Sequence, residues 1–134
     1  MSIRTIRIFE GEPFAFTERV KHQNGDDVLP LEVATITLRA YDFSRGDSRE
    51  PVGCDDSIAP LSTMFTPLQL DGLWTRDDEG YNFRHDLTAW SSPEYFSGGG
   101  KTYRLEYRFG MKAGGHRLVL GRVQVSGFLS EGAG

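Results

Sequence analysis

The sequence predicts an all-β protein, an antiparallel sandwich or barrel of about seven strands, and three observations lead to this prediction. Apolar residues alternate with polar residues far more often than they recur at helical spacing. Turn-forming residues separate the alternating segments at short intervals. The chain has 134 residues, which is long enough for one domain whose core needs no disulfide or metal to stand.

The clearest predicted strand covers residues 101–111. Aromatic and aliphatic side chains occupy every second position from Tyr103 to Met111, and polar side chains occupy the positions between, from Thr102 to Arg108. Because successive side chains of a strand point to opposite faces, this segment predicts one buried face and one solvated face. Six further segments follow the same rule less regularly: residues 3–9, 13–20, 33–43, 64–74, 81–87 and 117–126.

Turn signals connect these segments, and the clearest are Asn24-Gly25-Asp26-Asp27, residues 77–80 and residues 112–115. Two longer connections, residues 44–60 and 88–100, are expected to be loops. The first leaves room for a short strand, and the second for one helical turn at Ser92-Pro93-Glu94. No linker or repeat divides the chain, so residues 1–134 are predicted to form a single domain with a loose tail at 127–134.

Composition excludes several classes of function. The formal net charge is -4, whereas sequence-independent nucleic-acid binding and recognition of anionic lipid both require a basic surface. The single cysteine, Cys54, cannot form an intrachain disulfide. The first residues have no apolar signal segment, and no run of residues is apolar enough to span a membrane. The expectation is a protein made in a reducing compartment, without nucleic-acid or membrane partners.

No motif predicts a catalytic or cofactor site. The string Gly98-Gly99-Gly100-Lys101-Thr102 ends like a phosphate-binding loop, but Tyr95 stands where the pattern needs a glycine, and a strand follows where it needs a helix. The acidic turns at 26–27, 55–56 and 77–79 lack the spacing of a calcium loop, and Asp-rich turns are usually solvated. The sequence therefore predicts no cofactor and no metal site.

The other residue types that carry chemistry are equally isolated. His22, His85 and His116 stand far apart and lack a ligand partner at short spacing. His85 shares the apolar parity of its segment, which favours a buried and hydrogen-bonded sheet histidine. Acidic neighbours of Cys54 disfavour a nucleophilic thiolate. These observations predict that the chain is not an enzyme.

Three aromatic residues, Trp90, Tyr95 and Phe96, lie in the long second connection, outside the alternating segments. Three interpretations remain open for them. They cap the core, or they form a protein-contact anchor, since aromatic residues are enriched at interface hot spots. In the third interpretation Trp90 and Tyr95 form a stacking platform for a carbohydrate or another small ligand, which would make the chain a ligand-binding sandwich module.

Three segments carry a resemblance to a known family. The opening Phe9-Glu10-Gly11-Glu12-Pro13-Phe14-Ala15-Phe16 precedes a charged strand, an Asn-Gly turn and the strand Val33-Ala34-Thr35-Ile36-Thr37-Leu38. Residues 78–83 are similar to an Asp-x-Gly-x-Tyr turn with Tyr81 one position early, and residues 100–107 are similar to a closing hairpin. Together these features resemble tailed-phage virion structural proteins with an immunoglobulin-like domain, in particular the N-terminal domain of siphophage baseplate upper proteins and their relatives.

This resemblance implies an immunoglobulin-like β-sandwich that acts by protein–protein assembly. It implies a virion component of the tail, the neck or the capsid decoration, assembled in the host cytoplasm. Its expected partners are other virion proteins and copies of itself, in a symmetric arrangement.

Overall fold

The structure, a computed structural model, describes residues 4–9, 12–43, 51–87 and 100–126, and these residues form eight β-strands. The strands are β1 (Arg4–Phe9), β2 (Ala15–Glu18), β3 (Val33–Asp42), β4 (Gly53–Ile58), β5 (Met64–Gln69), β6 (Tyr81–Asp86), β7 (Thr102–Met111) and β8 (His116–Ser126). A 3-10 helix (Pro30–Glu32) precedes β3, and a one-turn helix, α1 (Pro60–Thr63), connects β4 to β5. The seven predicted strands are all present, and β4 is an additional strand inside the predicted loop at 44–60.

Two sheets face each other. One has the order β1-β8-β7-β3-β4 and the other the order β2-β6-β5. All neighbours are antiparallel except β1 and β8, which run parallel. In variable-type immunoglobulin sandwiches the strands B, E and D likewise share one sheet, while G, F, C and C′ share the other. The predicted sandwich is confirmed, and the closed barrel is excluded because both sheets end in edge strands within the described ranges.

The core lies between the sheets and is largely aromatic. Phe16 of β2 stacks on Tyr107 of β7, with ring centroids 5.0 Å apart. Phe83 of β6 meets the rings of Tyr107 and Phe109 edge-on, at 5.0 Å and 4.9 Å. All four side chains are fully buried. Edge-to-face and offset pairs are the arrangements that aromatic rings prefer. The side chains that fill the core from β7 are those on the face that the alternation of residues 101–111 predicted to be buried.

Two details differ from the predicted strands. The segment 64–74 ends as a strand at Gln69, because Asp71 accepts a hydrogen bond from the Leu73 amide and begins a turn. Trp74 is nevertheless buried, beside the ring of Tyr81. Asn82 lies on β6 at the parity opposite to the core residues Tyr81 and Phe83, yet it is almost fully buried, because its amide satisfies the backbone of the neighbouring segment at Val20.

Tyr81 does not form a tyrosine corner. Its hydroxyl donates to Asp71 Oδ2 at 2.8 Å and has no backbone partner in the described ranges, whereas a tyrosine corner bonds a backbone group a few residues upstream. Tyr81, which stands one position early in the turn motif, therefore bonds to a side-chain carboxylate where a tyrosine corner would bond to the backbone.

Candidate interaction surface

The outward face of the five-stranded sheet concentrates positive charge on a chain that is acidic overall. Since alternate residues share a face, the buried positions of each strand identify the outward ones between them. The outward basic residues are Arg7 on β1, Arg39 on β3, Arg104 and Arg108 on β7, and Arg122 on β8. We call this surface the arginine face. It carries no lysine, in keeping with a chain that has twelve arginines and three lysines.

Only some of these arginines are neutralised by carboxylates of the same sheet. Arg39 donates to Asp56 at 2.6 Å, and this hydrogen bond raises the pKa of Arg39. Arg104 Nε lies 3.0 Å from Glu106 Oε2. Arg7, Arg108 and Arg122 have no ion-pair partner in the described part of the chain. Among the residues that the structure describes, the face thus has more arginines than carboxylates that pair with them.

The pairing register places two arginines in opposite positions on this face. Arg104 lies directly opposite Arg122 across β7 and β8. Like charges in directly opposite positions destabilise a sheet.

Apolar side chains stand among the arginines. Phe9, Phe43 and Leu118 are each 42% exposed, and the Arg104 guanidinium lies 5.5 Å from the centroid of the Phe43 ring. A shallow cleft of about 190 Å³ lies at the centre of the face, and its lining residues are Thr37, Arg39, Tyr41, Glu106, Arg108 and Leu118. Planar donors beside exposed aromatic and aliphatic groups suit binding of carboxylates on a protein surface.

A second basic group surrounds Trp74, in the loop between β5 and β6. Three guanidinium carbons, from Arg4, Arg19 and Arg76, lie 5.3 Å, 5.8 Å and 5.2 Å from the centroid of its ring system. The indole N–H donates to Asp77 Oδ1 at 2.8 Å. This bond, with backbone amides and Arg19, holds the pKa of Asp77 well below its usual range. The group stabilises the loop through cation–π contacts and a charged hydrogen bond.

His85 is the buried sheet histidine that the sequence predicted. Its Nδ1 lies 2.8 Å from the hydroxyl oxygen of Tyr107, and its Nε2 lies 3.8 Å from Asp55 Oδ2. Burial lowers the pKa of His85 and raises that of Tyr107. The fold therefore brings a carboxylate near His85, but the imidazole is only 8% exposed and is engaged with a core tyrosine.

The other histidines are closer together than the sequence suggested. His22 Nε2 lies 3.0 Å from Glu32 Oε1, and this contact lowers the pKa of Glu32. His116 lines the same open cleft, which measures about 580 Å³. A separation of ten positions between His22 and Glu32, closed by a turn and a 3-10 helix, has no short-range sequence signal. Among the described residues no three His, Cys, Asp or Glu side chains cluster as metal ligands.

The other candidate residues from the sequence are the aromatic residues of the second long connection, the glycine-rich string and Cys54. Trp90, Tyr95 and Phe96 lie outside the described residues, as do the predicted helical turn and the tail at 127–134. Gly100 adopts a positive φ of 82° and leads into β7, so the helix that a phosphate-binding loop requires does not follow. Cys54 is exposed on β4 rather than in a loop.

Comparison of the chain with protein-family models, with curated proteins and with solved structures finds no match. No helix in the described ranges is long and apolar enough to cross a membrane.

Proposed function

We propose that the chain is a non-catalytic assembly module that docks an acidic protein surface on its arginine face. The observation that carries the proposal is a set of three arginines, Arg7, Arg108 and Arg122, that have no ion-pair partner among the described residues and lie beside exposed Phe9 and Leu118 on one sheet face. Arginine and aromatic residues are enriched at protein interfaces, and lysine is depleted.

The size of the face supports this role. Five strands spaced about 4.8 Å apart, overlapping over about seven residues of about 3.4 Å each, give a face of about 600 Å². A specific interface buries about 800 Å² on each partner. The arginine face thus supplies about three quarters of one side, and adjoining loops would supply the rest.

The sequence resemblance supplies the biological setting of the proposal. In that setting the chain is a virion component of a tailed phage, in the tail, the neck or the capsid decoration, and its partners are other virion proteins or copies of itself. Symmetric assemblies repeat one interface many times, so an interface of modest area suffices for each copy.

The test measures binding between the purified chain and each purified product of the genes that flank its own gene, and self-association by sedimentation velocity. We expect one of these interactions to weaken with rising salt concentration, because its contacts are exposed charges. Arg122→Glu should weaken it at least about tenfold, or about 1.4 kcal/mol, since the reversal replaces a favourable contact with a repulsive one.

Lys112→Glu is the matched control. It makes the same change of charge on the exposed β7–β8 hairpin, away from the arginine face, and should leave binding unchanged. Equal binding by wild-type and Arg122→Glu chains would contradict the proposed docking face. Absence of any interaction with flanking products or with itself would contradict the virion setting.

A further inference from the structure

The shallow cleft at the centre of the arginine face contains one cation that no described carboxylate neutralises. Of the two arginines that line it, Arg39 donates to Asp56 at 2.6 Å. Its one lining carboxylate, on Glu106, lies 3.0 Å from Arg104 Nε. Arg108 is exposed, and within the described ranges it has no ion-pair partner. A ligand in this cleft, which we call the Arg108 cleft, would therefore meet a single available guanidinium.

The strand register places a different kind of side chain on each side of Arg108. Thr37 of β3 lies directly opposite Arg108 on one side, and Leu118 of β8 lies directly opposite it on the other. The Cβ atoms of residues in such positions are about 4.5–5.5 Å apart. A hydroxyl, a guanidinium and an aliphatic side chain thus form one row across three strands, and all three line the Arg108 cleft.

This row lies in the interior of the sheet rather than at an edge. β7 is the third of the five strands, and both of its neighbours are described throughout the part that pairs with residues 106–110. Leu118 is 42% exposed, so the apolar end of the row is open as well as the charged centre. The site uses side chains on the face and needs no unpaired backbone.

The chemistry of the row suits one carboxylate on an aliphatic stem. A guanidinium donates two parallel hydrogen bonds to the two oxygens of a carboxylate. The Thr37 hydroxyl has no partner among the described residues and can donate a third hydrogen bond, while Leu118 can contact the methylene groups of the stem. A doubly charged phosphate group fits less well, because its second charge would find no further available guanidinium and would face Glu106.

We propose that the Arg108 cleft binds the side-chain carboxylate of one acidic residue on the partner protein, and that Arg108 is the anchoring donor of the interface. The proposal rests on the proposed function, in which an acidic surface docks on the arginine face. It adds that one carboxylate enters a defined position and that the fork of Arg108, rather than the summed charge of the face, selects it. The cleft measures about 190 Å³, which limits it to a single side chain.

The test uses two short peptides and NMR of the full chain, so it does not require the partner. The probe is acetyl-Ala-Glu-Ala-amide, and its control is acetyl-Ala-Gln-Ala-amide, which has nearly the same shape without the charge. The glutamate peptide should shift the Arg108 Nε–H signal and the backbone amide signals of Thr37 and Leu118 in a saturable, millimolar titration that weakens as the salt concentration rises. The glutamine peptide should leave these signals in place.

Two variants separate the fork and the hydroxyl from the charge. Arg108→Lys keeps the charge but cannot donate the parallel pair of hydrogen bonds, so it should weaken the glutamate peptide at least about fivefold. Arg84→Lys is the matched control, since it makes the same change at an exposed position on the other sheet and should leave the affinity unchanged. Thr37→Val removes the hydroxyl with little change of shape and should weaken the peptide about threefold.

Three results would overturn the proposal. The first is a glutamate peptide that shifts none of these signals, or shifts them no more than the glutamine peptide does. The second is equal affinity of the Arg108→Lys and wild-type chains for the glutamate peptide. The third is tighter binding of acetyl-Ala-phosphoserine-Ala-amide, which would make the cleft a phosphate site. None of these results would contradict docking on the arginine face, which the Arg122→Glu experiment with the partner decides separately.

Discussion

A single methyl group added at Gly121 should disturb the aromatic core of the sandwich. A Cβ atom there would lie 2.5 Å from Phe16 Cε2 and 3.2 Å from two further atoms of the ring. The Phe16 ring is fully buried and stacked on Tyr107, so it cannot move away without disturbing the aromatic core. Forcing an extra carbon into a packed core costs about 1–3 kcal/mol. Gly121→Ala should therefore lower the free energy of unfolding by about 2 kcal/mol.

The same figure predicts a shift in melting temperature. Unfolding entropy of about 2.1 cal/mol/K per residue gives about 0.28 kcal/mol/K for this chain, so the melting temperature should fall by about 7 °C. Urea unfolding followed by tryptophan fluorescence measures the free energy directly, since Trp74 is buried in the native state. Gly72→Ala is the control, because a Cβ there meets nothing within 4 Å.

A double-mutant cycle tests the physical cause. Phe16→Leu opens space at the crowded ring, so Phe16→Leu combined with Gly121→Ala should cost at least about 1 kcal/mol less than the sum of the single changes. Strict additivity of the two changes would refute the argument from crowding. A Gly121→Ala chain as stable as the Gly72→Ala control would refute it as well.

Three other predictions concern polar groups. Asn82→Ala should lower the free energy of unfolding by about 2–3 kcal/mol in urea titrations, because buried backbone groups at Val20 lose their partners. His85 has a lowered pKa in the folded state, so the unfolded chain binds its proton more readily. Its contribution to stability should be complete above about pH 6.5 and decline as the pH falls toward the folded pKa. Urea midpoints measured from pH 7.5 downward should show this decline, and His85→Gln should flatten it. Asp77→Ala should lower the melting temperature more than Asp78→Ala does, because Asp77 joins the Trp74 indole, backbone amides and Arg19; an equal loss would contradict this.

The sequence predicted those strands in which one face is buried and the other is wet. In β7 the core side chains from Tyr103 to Phe109 recur at every second position, and this pattern survives in the structure. The sequence left room for a short strand in the connection 44–60 but did not predict the bounds of β4, because Gly-Cys-Asp-Asp-Ser-Ile has almost no apolar side chains to alternate. An edge strand with an irregular pairing, such as β4 opposite Ile36–Leu38, buries too little to leave that pattern.

Only part of the arginine face could be predicted from the sequence. Arg104 and Arg108 lie on the polar parity of the clearest strand, and the excess of arginine over lysine was visible in the composition. Their union with Arg7 and Arg122 depends on β1 and β8 meeting across more than a hundred residues of chain. Single-strand alternation contains no information on such pairing. The long connection that held the predicted aromatic anchors, Trp90, Tyr95 and Phe96, lies outside the described residues, so their role stays a prediction.

The parallel pairing of β1 with β8 also determines how the sandwich resists a mechanical pulling force. The six pairs run from Arg4 with Gly121 to Phe9 with Ser126, so a pull applied at residues 4 and 126 drags the two strands lengthwise in opposite directions. The evenly spaced hydrogen bonds between β1 and β8 are then loaded in shear, all at the same time, instead of breaking one after another. A domain stretched between residues 4 and 126 should therefore resist force until the hydrogen bonds between β1 and β8 break together.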